Sequence, residues 1–309
     1  MKRQIISISL LIILVLIPII SWLFWYTKSD QILNVAILDK TVLNQDTQEH
    51  ISLSWVLKHE RYVNTDLEHH DHELDYFGFF PDGEGEYLIN DFNKFSDLQL
   101  DSIADYYDML AYTDLYGIYV AEWWNAYPDK APKEWEYVSP IERSRHIYGG
   151  MTHNEVELLK KMKQRKKLIF TEFNSIAQPT TTAIRKEFEK TFAMRWSGWA
   201  GKYYNSLDSN RNDEIPMWIK HGYVDQYGDW PFKNSGIVFV NNDESIVILE
   251  NQTHLKHEVP LIITDQKYVD EYGVLSEIKY PFWFDICYKT WPNKSISNYR
   301  IETNKLGDS

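Results

Sequence analysis

The chain has 309 residues, with 45 acidic against 32 basic side chains and a formal net charge of -13 at pH 7. This acidic balance excludes binding to nucleic acid or to anionic lipid through a basic patch. Its one cysteine, Cys287, excludes an internal disulfide framework.

The first predicted element is the uncharged apolar run Ile5–Tyr26. A helix of about 20 apolar residues is long enough to cross a bilayer and satisfies its own backbone there. Lys2 and Arg3 precede the run, so the positive-inside rule predicts a cytoplasmic N-terminus. A cleaved signal peptide is the alternative, but bulky residues from Trp22 onward stand where a small-residue cleavage site is needed.

We therefore predict a single-pass protein of the cell membrane with most of its chain outside the cytoplasm. Its predicted segments are a cytoplasmic tail at 1–4, a transmembrane helix at 5–26 and a tether at 27–31.

The next elements alternate between strands and helices. Ile32–Leu38 is apolar and stops at Asp39-Lys40-Thr41, which is typical of the first strand of a parallel sheet. Further elements are predicted as a helix at Gln48–Glu60, strands at Tyr107–Tyr112 and Lys167–Phe173, an aromatic loop at Glu122–Pro140 and a helix with a capping box at Thr152 and Glu155. The next helix is predicted at Thr180–Phe192, and Met194–Trp199 is predicted to close it.

The last part of the chain contains mostly strand patterns. The predicted strands are Gly236–Asn241, Ser245–Glu250, Leu261–Thr264, Phe282–Tyr288 and Ser295–Thr303. The order predicts an α/β domain at 32–230, with an open, mostly parallel sheet and helices on both faces. A β-rich C-terminal portion is predicted at 231–309.

A strand ending in Asp39-Lys40-Thr41, a Tyr148-Gly149-Gly150 segment before a capped helix, and a later strand that turns sharply into another helix form one pattern. This pattern resembles the class I glutamine amidotransferase-like superfamily, including its ThuA-like members, over roughly residues 32–230. The resemblance implies the fold. It does not imply glutaminase activity, because Glu172-Phe173-Asn174-Ser175-Ile176 stands where catalytic members carry a nucleophilic cysteine between glycines.

Ligands of doubly wound sheets bind at the carboxyl ends of the strands. Asp39, Asp114 and Glu172 follow three predicted strands, and crowded carboxylates can serve as general acid and base. We predict these three as candidate catalytic residues. Candidate binding residues nearby are Lys40, His50, Tyr116 and Asn174. The competing interpretation is that strand ends are polar because they meet water.

Three other patterns suggest sites. Ser175 with His50 and Asp114 could form a nucleophile, base and orienting acid, although no Gly-x-Ser-x-Gly elbow is present. His70 and His72, with Glu68 or Asp75, could ligate a metal, but a solvated loop is the favoured interpretation. The segment from Arg195 to Tyr204 could be a sugar platform or, as we prefer, a packing seam.

The first functional hypothesis is a binding or scaffolding module of the bacterial cell envelope that lacks glutaminase activity and serves a glycan or an envelope protein. The alternative is an envelope hydrolase that acts on a glycan with the strand-end carboxylates. Membrane lipid is the expected partner of the N-terminal helix. No cofactor, no resident metal and no nucleic-acid partner is expected.

Overall fold

The computed structural model describes residues 2–133, 144–257 and 259–307, and it describes side chains from residue 12 onward. Within those ranges the helices are α1 (Lys2–Thr27), α2 (Ile51–His59), α3 (Asp97–Tyr106), α4 (Val120–Ala126), α5 (His153–Gln164), α6 (Thr182–Phe192), α7 (Met217–Tyr227) and α8 (Gln266–Tyr272). Residues 134–140 of the predicted aromatic loop lie outside the described residues, and so do the side chains of residues 5–11 in the predicted transmembrane helix.

The strands form several sheets. They are β1 (Gln31–Ile32), β2 (Val35–Asp39), β3 (Tyr62–Val63), β4 (Phe77–Pro81), β5 (Tyr87–Asn90), β6 (Met109–Asp114), β7 (Ile118–Tyr119), β8 (His146–Tyr148), β9 (Leu168–Thr171), β10 (Met194–Tyr204), β11 (Gly236–Asn241), β12 (Ile246–Glu250), β13 (Leu261–Thr264), β14 (Glu277–Lys279), β15 (Phe284–Lys289) and β16 (Ser297–Arg300). The chain is therefore a mixed α/β protein whose sheets are partly parallel.

The sheet that positions the candidate site has five strands in the order β5-β4-β2-β6-β9. Strands β4, β2, β6 and β9 are parallel, and β5 is antiparallel at one edge. The chain first adds β4 on one side of β2 and then crosses to add β6 and β9 on the other side. The direction of winding reverses between β2 and β6, and crevices for ligands form at such a reversal.

Helices cover both faces of this sheet. Alternate residues of β2 point to opposite faces, so Ala36 and Leu38 join the core under α3 and α5, whereas Ile37 packs on the other face beside Leu53 of α2. The strands β2 and β6 are buried on both sides, which explains their almost continuous apolar sequence.

A four-stranded antiparallel sheet follows, in the order β12-β11-β10-β15. Its strand β10 begins at Met194, so the antiparallel portion starts well before residue 231. The residues Met194–Trp199 therefore form a strand and do not close the preceding helix. Trp196 packs into the core of the parallel sheet, whereas Tyr203 and Tyr204 belong to the cores on the two faces of the antiparallel sheet. This segment is the packing seam between the two sheets.

The N-terminal helix ends beside α2. The indole of Trp25 donates to the carbonyl of His59 at 2.6 Å, Lys28 pairs with Glu60, and β1 pairs with β3. The residues predicted as a tether are thus attached to the folded body. Among the residues whose side chains are described, no helix combines the length and the apolar character needed to cross a membrane.

Candidate functional site

The three candidate catalytic residues lie at one edge of the parallel sheet. Asp39 ends β2, Asp114 ends β6, and Glu172 directly follows β9. Asp39 and Asp114 are paired residues in the register of β2 and β6, and the amide of Glu172 donates to the carbonyl of Tyr112 at 3.0 Å. The three residues therefore lie at the ends of the adjacent strands β2, β6 and β9, and Asp39 and Asp114 flank the point where the winding reverses.

Asp39 forms a buried pair with His50. The carboxylate Oδ2 lies 2.7 Å from His50 Nδ1, and both side chains are fully buried. The other ring nitrogen, Nε2, lies 2.7 Å from the carbonyl oxygen of His72. A carbonyl only accepts, so Nε2 carries a proton, and a second proton must lie between Nδ1 and Oδ2.

The protonation of His50 reflects two opposing effects. Burial disfavours the charged imidazolium, but the hydrogen bond and the charge of Asp39 outweigh it and raise the pKa of His50. The other carboxylate oxygen of Asp39 accepts from the amide and hydroxyl of Thr41, both at 3.0 Å. Asp39 is consequently a fixed, buried charge that a ligand does not touch directly.

The carboxyl groups of Glu49, Asp114 and Glu172 are more accessible to solvent than the carboxylate of Asp39, and their pKa values are raised. Burial, then the negative charges of Asp39 and Glu49, raise the pKa of Asp114 to about 8 against the opposing effect of the Tyr116 amide. Burial and the Asp39 charge raise the pKa of Glu49 to about 7, and the same two causes raise that of Glu172. These three side chains are half-buried, so Asp114 and Glu49 combine pKa values of about 8 and about 7 with access to solvent.

Lys40 does not take the predicted binding role. Its side chain is fully buried, and its Nζ lies 2.6 Å from Glu155 Oε1 and 2.9 Å from the carbonyl of Gly150. The ammonium also sits over the ring of Tyr148 at 4.8 Å. Lys40 therefore joins the end of β2 to the first turn of α5, and no ligand can reach it.

The other three predicted binding residues differ in how accessible they are to a ligand. Tyr116 is 39% exposed and its ring lies 4.8 Å from that of Tyr119. The Asn174 amide nitrogen donates to the carbonyl of Gln178 at 2.5 Å, which fixes its orientation, while its Oδ1 is buried with no hydrogen-bond partner among the described residues. His50 is closed off by its two partners.

The turn after β9 is sharp. Phe173 has a φ of 47°, a left-handed conformation that is costly for a bulky side chain. Ser175, two residues on, donates from its hydroxyl to the carbonyl of Glu172 at 3.0 Å. Because His50 is occupied by Asp39 and His72, the Ser175–His50–Asp114 arrangement considered from the sequence does not assemble.

A cavity of about 280 Å³ opens beside this turn, between β9 and β15. Glu172 and Ser175 line one wall, and Asp285 of β15 lines the other. Burial raises the pKa of Asp285 to about 7, against the opposing effects of Trp196 and Arg185. Asp285 was not predicted as a site residue. Its only signal in the sequence is a single acid inside an apolar strand, which does not reveal its neighbours.

The histidine-rich loop does not gather metal ligands. His72 Nδ1 lies 2.8 Å from the hydroxyl of Thr47, and His70 Nδ1 lies 3.3 Å from that of Ser54. Within the described part of the chain, the group with metal-like spacing is His153, Glu157 and Glu187. Lys160 already pairs with both of those glutamates, at 2.6 and 3.2 Å, so the group is an ordinary surface network.

Comparisons with known proteins return nothing significant: no family model matches the chain, and neither does any curated protein or solved structure. The function is therefore inferred from the geometry of the chain alone.

Proposed function

We propose that the carboxyl edge of the parallel sheet is an acid–base site that hydrolyses a glycan. One observation carries the proposal. A single buried charge, Asp39, raises the pKa values of the half-buried carboxyl groups around it, and these lie where open α/β sheets bind their ligands. Asp39 pairs with the imidazole of His50, while the ammonium of Lys40 pairs with Glu155.

The roles follow from protonation and access. Asp114, which keeps its proton to about pH 8, donates it to the leaving oxygen as the glycosidic C–O bond breaks. Glu172, on the neighbouring strand, accepts a proton from the attacking water, whose oxygen forms the new C–O bond. The buried Asp39–His50 pair is a positioning element that holds the charge in place.

The support for a glycan is the supply of aromatic rings beside these acids. Tyr116 is partly exposed next to Asp114, and the exposed side chain of Phe173 adjoins Glu172. Flat apolar rings match the faces of sugar rings, and polar groups at the rim fix orientation.

A turnover assay tests this proposal. Full-length protein would be incubated with a panel of envelope and storage oligosaccharides, and reducing ends would be measured. Asp114→Asn and Glu172→Gln should each lower kcat by roughly 10²- to 10⁴-fold, the range for losing an acid or base. Glu277→Gln, on an exposed strand, is the matched control and should keep full activity. Equal activity in all four proteins would refute the assignment.

A binding module without catalysis is the second candidate. It is favoured by Phe173, whose side chain occupies the sharp turn where hydrolases of related architecture place a nucleophile. The membership in the amidotransferase-like superfamily is likewise our proposal. It draws support from the parallel strand order and from this turn.

We also propose that the apolar N-terminal run anchors the protein in the cell membrane with its folded body outside the cytoplasm. Support comes from the uncharged stretch Ile5–Tyr26 behind Lys2 and Arg3. Protease added to intact cells should remove the folded body and leave a membrane-bound stub. A body that stays protected, or a protein freely dissolved in the medium, would overturn this location.

A further inference from the structure

The cavity between β9 and β15 has the composition of a ligand site. Its volume of about 280 Å³ suits a single sugar ring with its substituents. Its two walls come from different sheets: Glu172 and Phe173 follow β9, whereas Tyr280, Trp283 and Asp285 belong to the antiparallel portion. The C-terminal portion therefore completes a pocket that starts at the proposed acid–base site.

Two acids face this cavity without a cation. Neither Glu172 nor Asp285 takes part in an ion pair among the described residues. The charge of Arg185 acts to lower the pKa of Asp285 without forming an ion pair with it, because the guanidinium is held by backbone carbonyls: its Nε donates to that of Ile176 at 2.6 Å, and its Nη2 donates to that of Thr180 at 3.0 Å. Its guanidinium also lies over the ring of Trp196 at 4.3 Å. No cation pairs with these acids among the described residues, so an ammonium group in the cavity would pair with Asp285, whose pKa is about 7, and favour its ionised form.

Aromatic rings complete the walls. Tyr280 and Tyr299 meet edge to face with ring centroids 5.6 Å apart, and Trp283 is 39% exposed at the rim. Aromatic faces attract cations as well as the apolar faces of sugars. A ring that carries an ammonium group satisfies the acids and the aromatic walls together, whereas a neutral sugar leaves two carboxyl groups without a charged partner.

We propose that this cavity binds a sugar unit that carries a free ammonium group, so that the substrate is a glycan containing amino sugars with unacylated nitrogen. Asp285 and Glu172 contact the ammonium, and the aromatic walls contact the ring. This inference rests on the proposed function and names its substrate class. Glu172 is shared by the cavity and the acid–base site, so a bound amino sugar lies next to the bond to be cleaved.

Equilibrium binding by the full-length protein tests the inference at pH 7. The two probes are the tetramer of glucosamine and the tetramer of N-acetylglucosamine, which differ in the charge on nitrogen. We expect the glucosamine tetramer to bind at least tenfold more tightly. Asp285→Asn should weaken its binding about tenfold or more, as expected for loss of a charged hydrogen bond. Glu277→Gln is the control and should bind like the unmodified protein.

The single cysteine supplies a readout that needs no substitution in the cavity. Cys287 is exposed and lines the same cavity, but burial raises the pKa of its thiol to about 12, so alkylation by iodoacetamide is slow at pH 7 and a bound sugar should slow it further. Protection by the glucosamine tetramer and none by the acetylated one is the expected result. Equal protection by both, or none by either, would overturn the inference even if Asp285→Asn proves unstable.

The two proposals fail separately. Turnover of neutral glycans without preference for the amine would refute the cavity assignment and leave the hydrolase standing. Amine-dependent binding that Asp285→Asn abolishes, with no turnover of any glycan, would refute the hydrolase and leave the cavity assignment standing. Asp114→Asn should lose turnover and still bind the glucosamine tetramer.

Discussion

At the scale of single residues, the end of β2 places two neighbours in opposite roles. Asp39 and Lys40 are both fully buried, but Asp39 is held by His50 and Thr41 at the centre of the site, whereas Lys40 turns away to Glu155. Burying these charges costs free energy, and each is tolerated because a partner lies within hydrogen-bond distance. The site therefore depends on partners that the chain supplies from α2 and α5.

Breaking the Lys40–Glu155 pair should destabilise the fold strongly. Lys40→Met leaves the buried carboxylate of Glu155 without a cation, which typically costs about 3–5 kcal/mol. Urea unfolding measures the loss. The double variant Lys40→Met/Glu155→Leu removes both charges and should recover most of the stability. If Lys40→Met were as stable as the unmodified protein, Lys40 and Glu155 would not form the buried ion pair described above.

The raised pKa of Asp114 predicts how stability changes with pH. Its folded pKa of about 8 lies above the unfolded value, so its contribution to stability is complete below about pH 4 and is lost as the pH rises through 8. The raised pKa of His50 acts in the same direction. The slope due to Asp114 is at most about 1.4 kcal/mol per pH unit.

Urea unfolding between pH 5 and 9 measures this slope. Asp114→Asn should flatten it and gain stability relative to the unmodified protein at the alkaline end, whereas Glu277→Gln should keep it. A slope that survives Asp114→Asn unchanged would place the titrating group elsewhere.

At this scale the sequence predicts where residues lie along the strands, but it does not predict which side chains become their partners. The rule that strand ends gather at one edge was enough to place Asp39, Asp114 and Glu172 together. It could not show that Lys40 points inward, because its partner Glu155 is distant in sequence and looks like an ordinary capping residue. Asp285 was missed for a related reason, since only the pairing of β15 with β10 brings it to the cavity.

At the scale of elements, segments with a clear apolar periodicity were predicted close to their observed ranges, whereas segments without one were not. The strands β2, β6 and β9, the helix α5 and the hairpin of β11 and β12 lie close to the predicted ranges. The helix α3 was missed although Ser96 and Gln99 form a capping box at its start. Strand β10 begins where the sequence predicts the end of a helix, because its pairing with distant β15 decides its conformation and local sequence does not.

A glycine of β4 determines how closely that strand approaches Asp39. Gly78 pairs with Asp39 in the sheet, its φ is +131°, and a Cβ there would lie 1.7 Å from the Asp39 carbonyl oxygen. Gly78→Ala must push β4 away from β2 or distort Asp39. We expect a loss of roughly 3 kcal/mol or more, from backbone strain and overpacking together, and a parallel loss of turnover.

Gly228→Ala is the matched control for that change. Gly228 also has a positive φ, +98°, but nothing lies within 4 Å of the position of its added Cβ. Gly228→Ala should lower the free energy of unfolding by about 1 kcal/mol, which is the backbone strain alone, and should leave turnover unchanged. Equal losses in the two variants, measured by urea unfolding, would show that contact with Asp39 is unimportant.

At the scale of the whole molecule, the proposed function requires both sheets. The parallel sheet supplies the acid–base groups, and the antiparallel portion closes the neighbouring cavity with Asp285 and aromatic rings. Strand β10 joins the two sheets, because the side chain of Trp196 packs into the core of the parallel sheet while the strand itself pairs with β11 and β15. Sequence patterns predicted two portions in this order, but the shared strand and the shared cavity needed tertiary structure.

The most direct test of the central claim is a ¹³C NMR titration of aspartate side-chain carboxyl groups in the full-length protein. The account predicts one resonance that titrates near pH 8 and disappears in Asp114→Asn, and a second near pH 7 that disappears in Asp285→Asn. A spectrum in which every aspartate is already ionised at about pH 5, close to unperturbed behaviour, would contradict it.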